Sequence, residues 1–295
     1  KEFPEVQFCH ATGTQAHTAG VANYHNAFAS IYEGRFLGGV AAGLKLNQMI
    51  EEGTITADEA KLGYIGAFPY AEVKSGYTSF FLGARYVCES VTMDVTFTNS
   101  WYDPTLEKEA AIKLINNGCV VISEHADSMG APTECEAQGV PFVFYNGSAA
   151  ADCPNTFIIA SRINWAPYFE YAMTCVMNGE EIAVDWTGTV ATDSVVMTEL
   201  NETVAAPGTA EKLAEVKAAL ADGSLKVFDT ATFTVNGETV TSAPCDMTIM
   251  DWATGTVAYQ GETYEGIVDG AFEESTFRSA PYFTLRIDGI VEDAQ

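Results

Sequence analysis

Hydrophobic and polar positions alternate most regularly between residues 61 and 161. Apolar runs of strand length are separated there by amphipathic stretches of helical length. The predicted strands are 62–68, 93–97, 119–123, 141–145 and 156–161. The predicted helices are 72–88, a helix from Asp103-Pro104 to Asn117-Gly118, 131–138 and 168–178. Strands that alternate with helices in this way are typical of a doubly wound parallel sheet, so the pattern predicts an α/β fold.

The amino-terminal stretch has a different pattern. Residues 5–10 alternate like a strand, and the next few read as a loop. From 21 to 52 the apolar side chains recur at helical spacing, which predicts a long helical segment whose glycines indicate either close helix packing or a break. The apolar positions of this helix are Tyr24, Phe28, Ile31, Tyr32, Phe36 and Val40.

The pattern changes again in the carboxy-terminal third. The β-branched segment 184–200 is long enough to join two lobes, and an amphipathic helix is predicted at 210–221. Residues 227–295 read as short strands and turns, with hairpin signals at Asn236-Gly237 and Thr254-Gly255.

Composition and charge narrow the functional classes. Of the 295 residues 47% are hydrophobic, which is typical of a globular chain. The formal net charge of −26 would repel nucleic-acid phosphates and anionic lipid head groups, so we exclude nucleic acid as a partner. The sequence contains no apolar run of about 18 residues, so no membrane-spanning helix is predicted.

The seven cysteines show no metal-ligand spacing, and we expect most of them to be buried structural residues. Cys135 and Cys153 could form a bridge only in an oxidising compartment. Neither a metal site nor a cofactor is predicted.

Two loops carry most of the groups that can hold a ligand. One follows the strand that ends at Phe97 and contains Asn99 and Trp101, and the other contains His125 and Asp127. Both follow the carboxyl end of a predicted parallel strand, which is where ligands bind in open α/β sheets.

Aromatic residues recur at the same edge of the predicted sheet. Phe68, Trp101, Tyr145 and Trp165 each lie at or just after a strand, and amide or carboxylate side chains lie among them. Core packing would explain one such residue. Four of them, interleaved with Asn99, Asp127, Asn146 and Asn164, favour a cleft for a flat nitrogen-rich heterocycle such as a purine base.

Catalytic motifs are not found in this sequence. It contains no G-x-S-x-G elbow, no H-E-x-x-H, no Walker loop and no G-x-G-x-x-G after a strand. His125 and Asp127 could act as a base and a carboxylate, but a polar loop of this kind more often holds a ligand. We therefore expect a binding protein and no enzyme.

Several segments resemble the BMP family of ABC-transporter substrate-binding lipoproteins, and most closely its branch that binds purine bases or nucleosides. Together they cover about residues 5–230 in order. The matching segments are Gly34-Arg35-Phe36-Leu37, Ala41-Ala42-Gly43, Gly63-Tyr64-Ile65-Gly66-Ala67-Phe68-Pro69, Thr98-Asn99-Ser100-Trp101-Tyr102-Asp103-Pro104, Glu107-Lys108-Glu109-Ala110-Ala111, His125-Ala126-Asp127-Ser128 and Asn164-Trp165-Ala166-Pro167-Tyr168.

The resemblance implies a type I periplasmic-binding fold, with two doubly wound parallel-sheet lobes and a hinge. We expect the first lobe from 1–60 and 156–190, the second from 61–155 and 191–230, and a packed extension from 231–295. Members of the family usually have a βαβ-rich segment before the strand that opens this chain, so we expect the first lobe to be incomplete at its amino-terminal end.

The resemblance also implies capture of a purine base or nucleoside by hinge closure and delivery to a membrane permease. It implies export and a lipid anchor at the cell surface. The predicted ligand-binding residues are Phe68, Asn99, Trp101, Asp127, Tyr145, Asn146, Asn164 and Trp165. Family members often have an aspartate where this chain has Asn146, which argues against ribose recognition.

Two alternatives remain open at this stage. The same fold serves as the effector domain of repressors, so a ligand-sensing regulatory module is the second hypothesis. A binding protein for another small heterocycle is the third.

Overall fold

The computed structural model describes residues 2–251 and 253–292. The helices are α1 (Ala16–Ala19), α2 (Ile31–Glu51), α3 (Ala71–Val87), α4 (Pro104–Asn116), α5 (Gly130–Gln138), α6 (Ala166–Asn178) and α7 (Thr209–Ala221), with single 3₁₀ turns at Ala57–Glu59 and Val190–Thr192. The strands are β1 (Phe8–Ala11), β2 (Tyr24–Ala29), β3 (Lys61–Gly66), β4 (Thr92–Phe97), β5 (Val121–His125), β6 (Phe142–Tyr145), β7 (Phe157–Ile163), β8 (Asp185–Gly188), β9 (Val195–Met197), β10 (Pro244–Asp246), β11 (Ile249–Met250), β12 (Val257–Tyr259), β13 (Thr263–Glu265), β14 (Ile267–Val268), β15 (Ala271–Phe272) and β16 (Ile290–Glu292).

A seven-stranded sheet forms the centre of the molecule. Its order is β16-β4-β3-β5-β6-β7-β9, and its strands run parallel except for β9, which is antiparallel to β7. The predicted parallel α/β fold is therefore confirmed. β4 and β5 lie on opposite sides of β3 in the sheet. The connection that follows β3 therefore leads in one direction and the connection that follows β5 leads in the other, so the two loops diverge. Such a switch point leaves a crevice at the carboxyl edge of the sheet.

A second, smaller sheet has the order β1-β2-β8 and is entirely parallel. The segment after it returns to the large sheet, because β8 belongs to the small sheet and β9 to the large one. Residues 184–200 therefore connect the two sheets.

The long helix predicted from residue 21 was wrong at its amino-terminal end. Tyr24–Ala29 forms β2, and the helix begins only at Ile31. β2 is the middle strand of the small sheet, and its residues after Tyr24 are all buried. Two of these buried residues, His25 and Asn26, are polar, so β2 shows neither an apolar run nor the regular alternation that would identify it as a strand.

Two elements assigned to the first lobe also have contacts with the large sheet or its helices. β7 is paired in the large sheet, although 156–190 was assigned to the first lobe. α2 packs along α3 and β7, although 1–60 was assigned to the first lobe as well. The partition of the chain between two lobes stays a prediction.

All seven cysteines lie in the described part of the chain and are free thiols, including Cys135 and Cys153. Six are buried and only Cys9 is exposed, although Cys9 also lies in an apolar run.

Glycines set the distance between α2 and α3. A Cβ atom on Gly39 would lie 1.9 Å from the carbonyl oxygen of Phe80, and one on Gly83 would lie 2.0 Å from that of Phe36. These neighbours are backbone atoms in packed helices and cannot swing away. The two glycines therefore allow the helix backbones to touch above the sheet.

We expect Gly39→Ala to lower the free energy of unfolding by about 1–3 kcal/mol, or to prevent folding, because the added methyl overpacks the contact between the helices. Urea unfolding measures this change. Gly147→Ala is the matched control, since its Cβ would meet only ordinary contacts, the nearest of them Phe144 Cε1 at 3.8 Å. Equal stability of Gly39→Ala and wild type would contradict the packing described here.

Candidate functional site

A cleft of about 1360 Å³ lies between the small sheet and the carboxyl edge of the large sheet. Three parts of the chain line it. The large sheet contributes Pro69, Tyr70, Ala71, Glu72 and Trp101. The small-sheet side contributes His10, the polar loop that follows β1, and the ring of Tyr24. The carboxy-terminal region contributes Ile249, Met250, Asp251, Ala258, Ala280 and Pro281.

A row of rings follows the carboxyl edge of the large sheet. Phe68 stacks on Tyr70 with the ring centroids 4.9 Å apart and the planes 10° apart. Phe68 also lies 6.0 Å from Trp101, which lies 6.0 Å from the imidazole of His125. His125 in turn lies 5.0 Å from Tyr145. Three predicted site residues, Phe68, Trp101 and Tyr145, are therefore brought together in one row.

Asp127 lies beside this row and is held in place from two sides. Its backbone N–H donates to the carbonyl oxygen of Trp101 at 2.6 Å, and its Oδ1 accepts a hydrogen bond from the Tyr145 hydroxyl. The carboxylate remains exposed. It lines a hollow of about 670 Å³ next to the main cleft, together with Tyr102 and the first turns of α4 and α5.

Tyr145 links this carboxylate to the core. The guanidinium of Arg35 lies 4.4 Å from the centre of the Tyr145 ring, a cation–π geometry. Burial, and next to it the charge of Asp127, raise the pKa of the Tyr145 hydroxyl. The hydroxyl therefore stays protonated at physiological pH and donates to Asp127.

His125 is buried and its ring faces Tyr64 and Glu72. Nδ1 lies 3.4 Å from the Tyr64 hydroxyl, and Nε2 lies 3.6 Å from a carboxylate oxygen of Glu72. Burial, followed by the charge of Arg35, lowers the pKa of the imidazole below its ordinary value of 6.5. His125 is thus a neutral ring of the aromatic row, and the contacts of its nitrogens are with Tyr64 and Glu72.

Two buried glutamates lie beneath the loop that carries Asp127. Glu107 is fully buried and accepts hydrogen bonds from Asp103 N, Ser128 N and the Ser128 hydroxyl. Glu124 is also fully buried, and neither of its oxygens accepts a hydrogen bond within the described residues. Burial, and next to it the charges of Glu107 and Asp127, raise the pKa of Glu124 well above 4.5.

The most favourable arrangement of this pair is an acid that donates to a carboxylate. Glu107 accepts from three donors, and the protonated Glu124 can donate to it. The pair ties β5 to the starts of α4 and α5. Asp103, which caps α4 by accepting from Thr105 N and Leu106 N at 3.0 Å, lies at the same junction.

The two asparagines at the strand ends have a conformational role in this structure. Asn99 and Asn146 are exposed and adopt left-handed backbone conformations, with φ of 55° and 53°. Asparagine adopts this conformation more readily than other residues that carry a Cβ. Both turn the chain out of its strand at the rim of the site.

Asn164 and Trp165 lie away from the main cleft. The Asn164 amide donates to Asp193 O at 2.9 Å, and its oxygen accepts from Ala166 N at 3.3 Å. Trp165 packs against the apolar cluster of Tyr168 beneath the small sheet. The structure therefore does not bring these two residues together with Trp101.

Sequence reasoning missed the contribution of the small sheet. The Tyr24 hydroxyl lies 3.1 Å from His10 Nδ1 and donates to Gln15 Oε1 at 3.1 Å, and all three residues line the cleft. The sequence contained one indication of this contribution, because a polar loop follows β1. A polar loop at the end of a parallel strand is a candidate ligand-binding element, as the loop after β4 was taken to be. Arg35 and Tyr70 were missed as well.

Residues 2–251 and 253–292 show neither a metal-binding cluster nor a membrane-spanning helix. In this part of the chain no three His, Cys, Asp or Glu side chains are grouped as metal ligands would be. Its helices include none that is long and apolar enough to cross a bilayer.

Comparison with known proteins gives a consistent result. The model of the Bmp family, described as ABC transporter substrate-binding protein PnrA-like, matches residues 1–224. The purine-binding protein BAB2_0673 of Brucella abortus is 35% identical over 61% of this chain and 47% of its own length. The putative ABC transporter glucose-binding protein TsgA13 of Haloferax volcanii is 31% identical over 64% of this chain and 44% of its own length. The chain thus spans about half the length of these relatives.

Among solved structures, an ABC transporter solute-binding protein from Aeropyrum pernix is similar, with a TM-score of 0.63. It is 17% identical, and the match covers 77% of this chain and 71% of that one. The predicted type I periplasmic-binding fold is confirmed by this likeness.

The pairing of Glu124 with Glu107 predicts a distinctive pH dependence of stability. In the unfolded chain Glu124 ionises near its ordinary pKa of 4.5, whereas the folded chain keeps the proton. Its contribution to stability is therefore complete below pH 4.5 and declines as the pH rises, by up to about 1.4 kcal/mol per pH unit, until the folded-state pKa is passed.

We expect Glu124→Gln to remove this decline, because the amide has nearly the shape of the protonated acid and does not ionise. Urea unfolding between pH 5 and 8 should show the variant gaining stability relative to wild type as the pH rises. Glu109→Gln, at an exposed position on α4, is the matched control and should follow wild type. Parallel pH profiles for Glu124→Gln and wild type would show that Glu124 is not a protonated partner.

Proposed function

Because the chain belongs to the PnrA-like family of ABC transporter substrate-binding proteins, we propose that it captures a purine base or nucleoside between its two sheets and delivers it to the permease of an ABC importer. The family is one of solute-binding proteins and not of enzymes. Substrate-binding proteins of ABC importers are extracytoplasmic. We propose in addition that this protein is held at the cell surface by a lipid anchor.

The observation that carries the purine proposal is the exposed carboxylate of Asp127 at the end of the aromatic row. A purine presents a flat face that stacks on rings and an edge with N–H groups that donate to a carboxylate. The Tyr145 hydroxyl and the Trp101 carbonyl hold the Asp127 loop so that this acceptor is oriented before a ligand arrives. A fixed acceptor loses little side-chain entropy on binding.

The other predicted residues have different parts in the proposal. Phe68 and Trp101 stack against the ligand, and Tyr145 orients Asp127. Asn99 and Asn146 lie at the rim, where their exposed amides are available to the ligand. Contact with Asn164 and Trp165 requires the small sheet to swing toward the large one, because both now pack elsewhere.

A sugar is the second candidate ligand. One relative is named a glucose-binding protein, and the small-sheet side of the cleft offers the polar groups of His10, Thr12 and Gln15. A sugar offers many hydroxyls but has no aromatic plane and no N–H edge. The aromatic row together with Asp127 therefore favours the purine.

The central test is Asp127→Ala. A charge-assisted hydrogen bond contributes about 1.5–3 kcal/mol, so the variant should bind purines between about tenfold and about 150-fold more weakly. Isothermal titration calorimetry with a panel of bases, nucleosides and glucose measures this loss. Asp58→Ala, at the amino-terminal end of β3 and away from the cleft, is the control and should bind like wild type. Unchanged purine affinity of Asp127→Ala would remove Asp127 from the site.

A further inference from the structure

The region that follows the family match contributes directly to the cleft. We infer that the carboxy-terminal extension, defined here as residues 227–251 and 253–292, forms an apolar wall of the ligand site and joins it to both sheets. Side chains of this extension then help to determine which ligands fit. The class of ligand in this inference rests on the proposed function. The contacts of the extension with the two sheets do not depend on that proposal.

The extension is anchored in the large sheet. β16 pairs in parallel with β4, with Ile290 opposite Met93 and Glu292 opposite Val95. Glu292 accepts a hydrogen bond from the Tyr77 hydroxyl of α3. Further along the extension, the buried rings of Phe228 and Phe283 stack with centroids 4.5 Å apart. The family match ends at residue 224, so this edge strand is an addition to the part that the family model describes.

The extension is also attached to the small sheet. The Ser279 hydroxyl donates to the carbonyl oxygen of Trp186 in β8, and the Thr187 hydroxyl donates to Ser275 O at 3.4 Å. At the other end of the cleft, the Tyr259 ring of β12 lies 5.8 Å from the imidazole of His17 in α1. The wall therefore touches both sides of the opening between the sheets.

The chemistry of this wall differs from that of the opposite sides. Five of its six lining side chains are apolar, and the sixth is Asp251, which accepts from Ala253 N at 2.8 Å within its own turn. The polar groups of the cleft come instead from the loop after β1 and from Glu72. A planar ligand would thus turn an apolar face to the extension while its polar edge faces the sheets. Met250, with a flexible thioether, suits such a contact.

A charge placed on the wall tests this arrangement. We expect Met250→Asp to weaken binding of the purine that wild type binds by about tenfold or more, because the carboxylate would lose water against an apolar ligand face. Val268→Asp is the matched control in the same extension, since Met250 and Val268 are 40% and 42% exposed and only Met250 lines the cleft. The control should bind like wild type. Equal affinities of Met250→Asp and wild type would contradict the inference that the extension forms a wall of the ligand site.

Isothermal titration calorimetry of wild type and the two variants distinguishes failure of this inference from failure of the proposed function. If wild type binds glucose and no purine, the purine proposal fails, and the same two variants are compared with glucose. If wild type binds purine and Met250→Asp binds it equally well, the purine proposal stands and the wall is wrong.

A second measurement needs no ligand. Tyr259→Ala removes the ring contact with His17, so we expect faster amide hydrogen exchange in residues 12–19 than in wild type. Tyr264→Ala is the control, because Tyr264 stacks on Phe277 within the extension at 4.6 Å. It should leave exchange in 12–19 unchanged. Identical exchange of 12–19 in Tyr259→Ala and wild type would show that β12 of the extension does not hold α1, whether or not any tested ligand binds.

Discussion

Parallel pairing of β3, β4, β5 and β6 is the constraint on which the rest of the structure depends. Strands that run in one direction end at one edge, so the loops that carry Phe68, Trp101 and Asp127 meet the end of β6 at Tyr145, although these residues are far apart in sequence. The switch between β3 and β5 opens a crevice at that edge. The small sheet and the extension then close the crevice from two further sides. Because the sheet is buried on both faces, its strands are mostly apolar, and the exposed groups that can reach a ligand lie in the loops that follow them.

Beneath the loops, a few buried charges connect the core to the site. Arg35 is 2% exposed and lies against the Tyr145 ring, whose hydroxyl bonds Asp127. Glu124 and Glu107 hold the start of α5 from the other side. Buried polar groups cost free energy unless they are paired, and here each contacts a residue that positions the site. The core therefore contributes orientation as well as apolar burial.

The parts of this structure that could be predicted from sequence are those with a strong local period. The alternation of strands and helices from 61 to 161 fixed the sheet, and Asp103-Pro104 marked a helix start that the structure confirms through the Asp103 cap. The segment Tyr24–Ala29 was read as helix because Tyr24 and Phe28 are four residues apart, and the buried polar pair between them hides the alternation of a strand. Clustering of Phe68, Trp101 and Tyr145 was predictable because parallel strands share an edge.

Other features depend on tertiary packing that no local pattern contains. Arg35 lies in a helix of small and apolar residues, and its position against Tyr145 follows only from how α2 crosses the sheet. The displacement of Asn164 and Trp165 from the cleft depends on the path between β7 and α6. The wall formed by Met250 and Pro281 could not be foreseen either, because short hairpins carry little information about what they pack against.

The most direct measurement is mass spectrometry of the small molecules that are released when the purified protein is denatured. The aromatic row and the exposed carboxylate of Asp127, at the carboxyl edge of the large sheet, predict a purine base or nucleoside at up to one molecule per chain. Release of a hexose at that stoichiometry, with no purine present, would contradict the account.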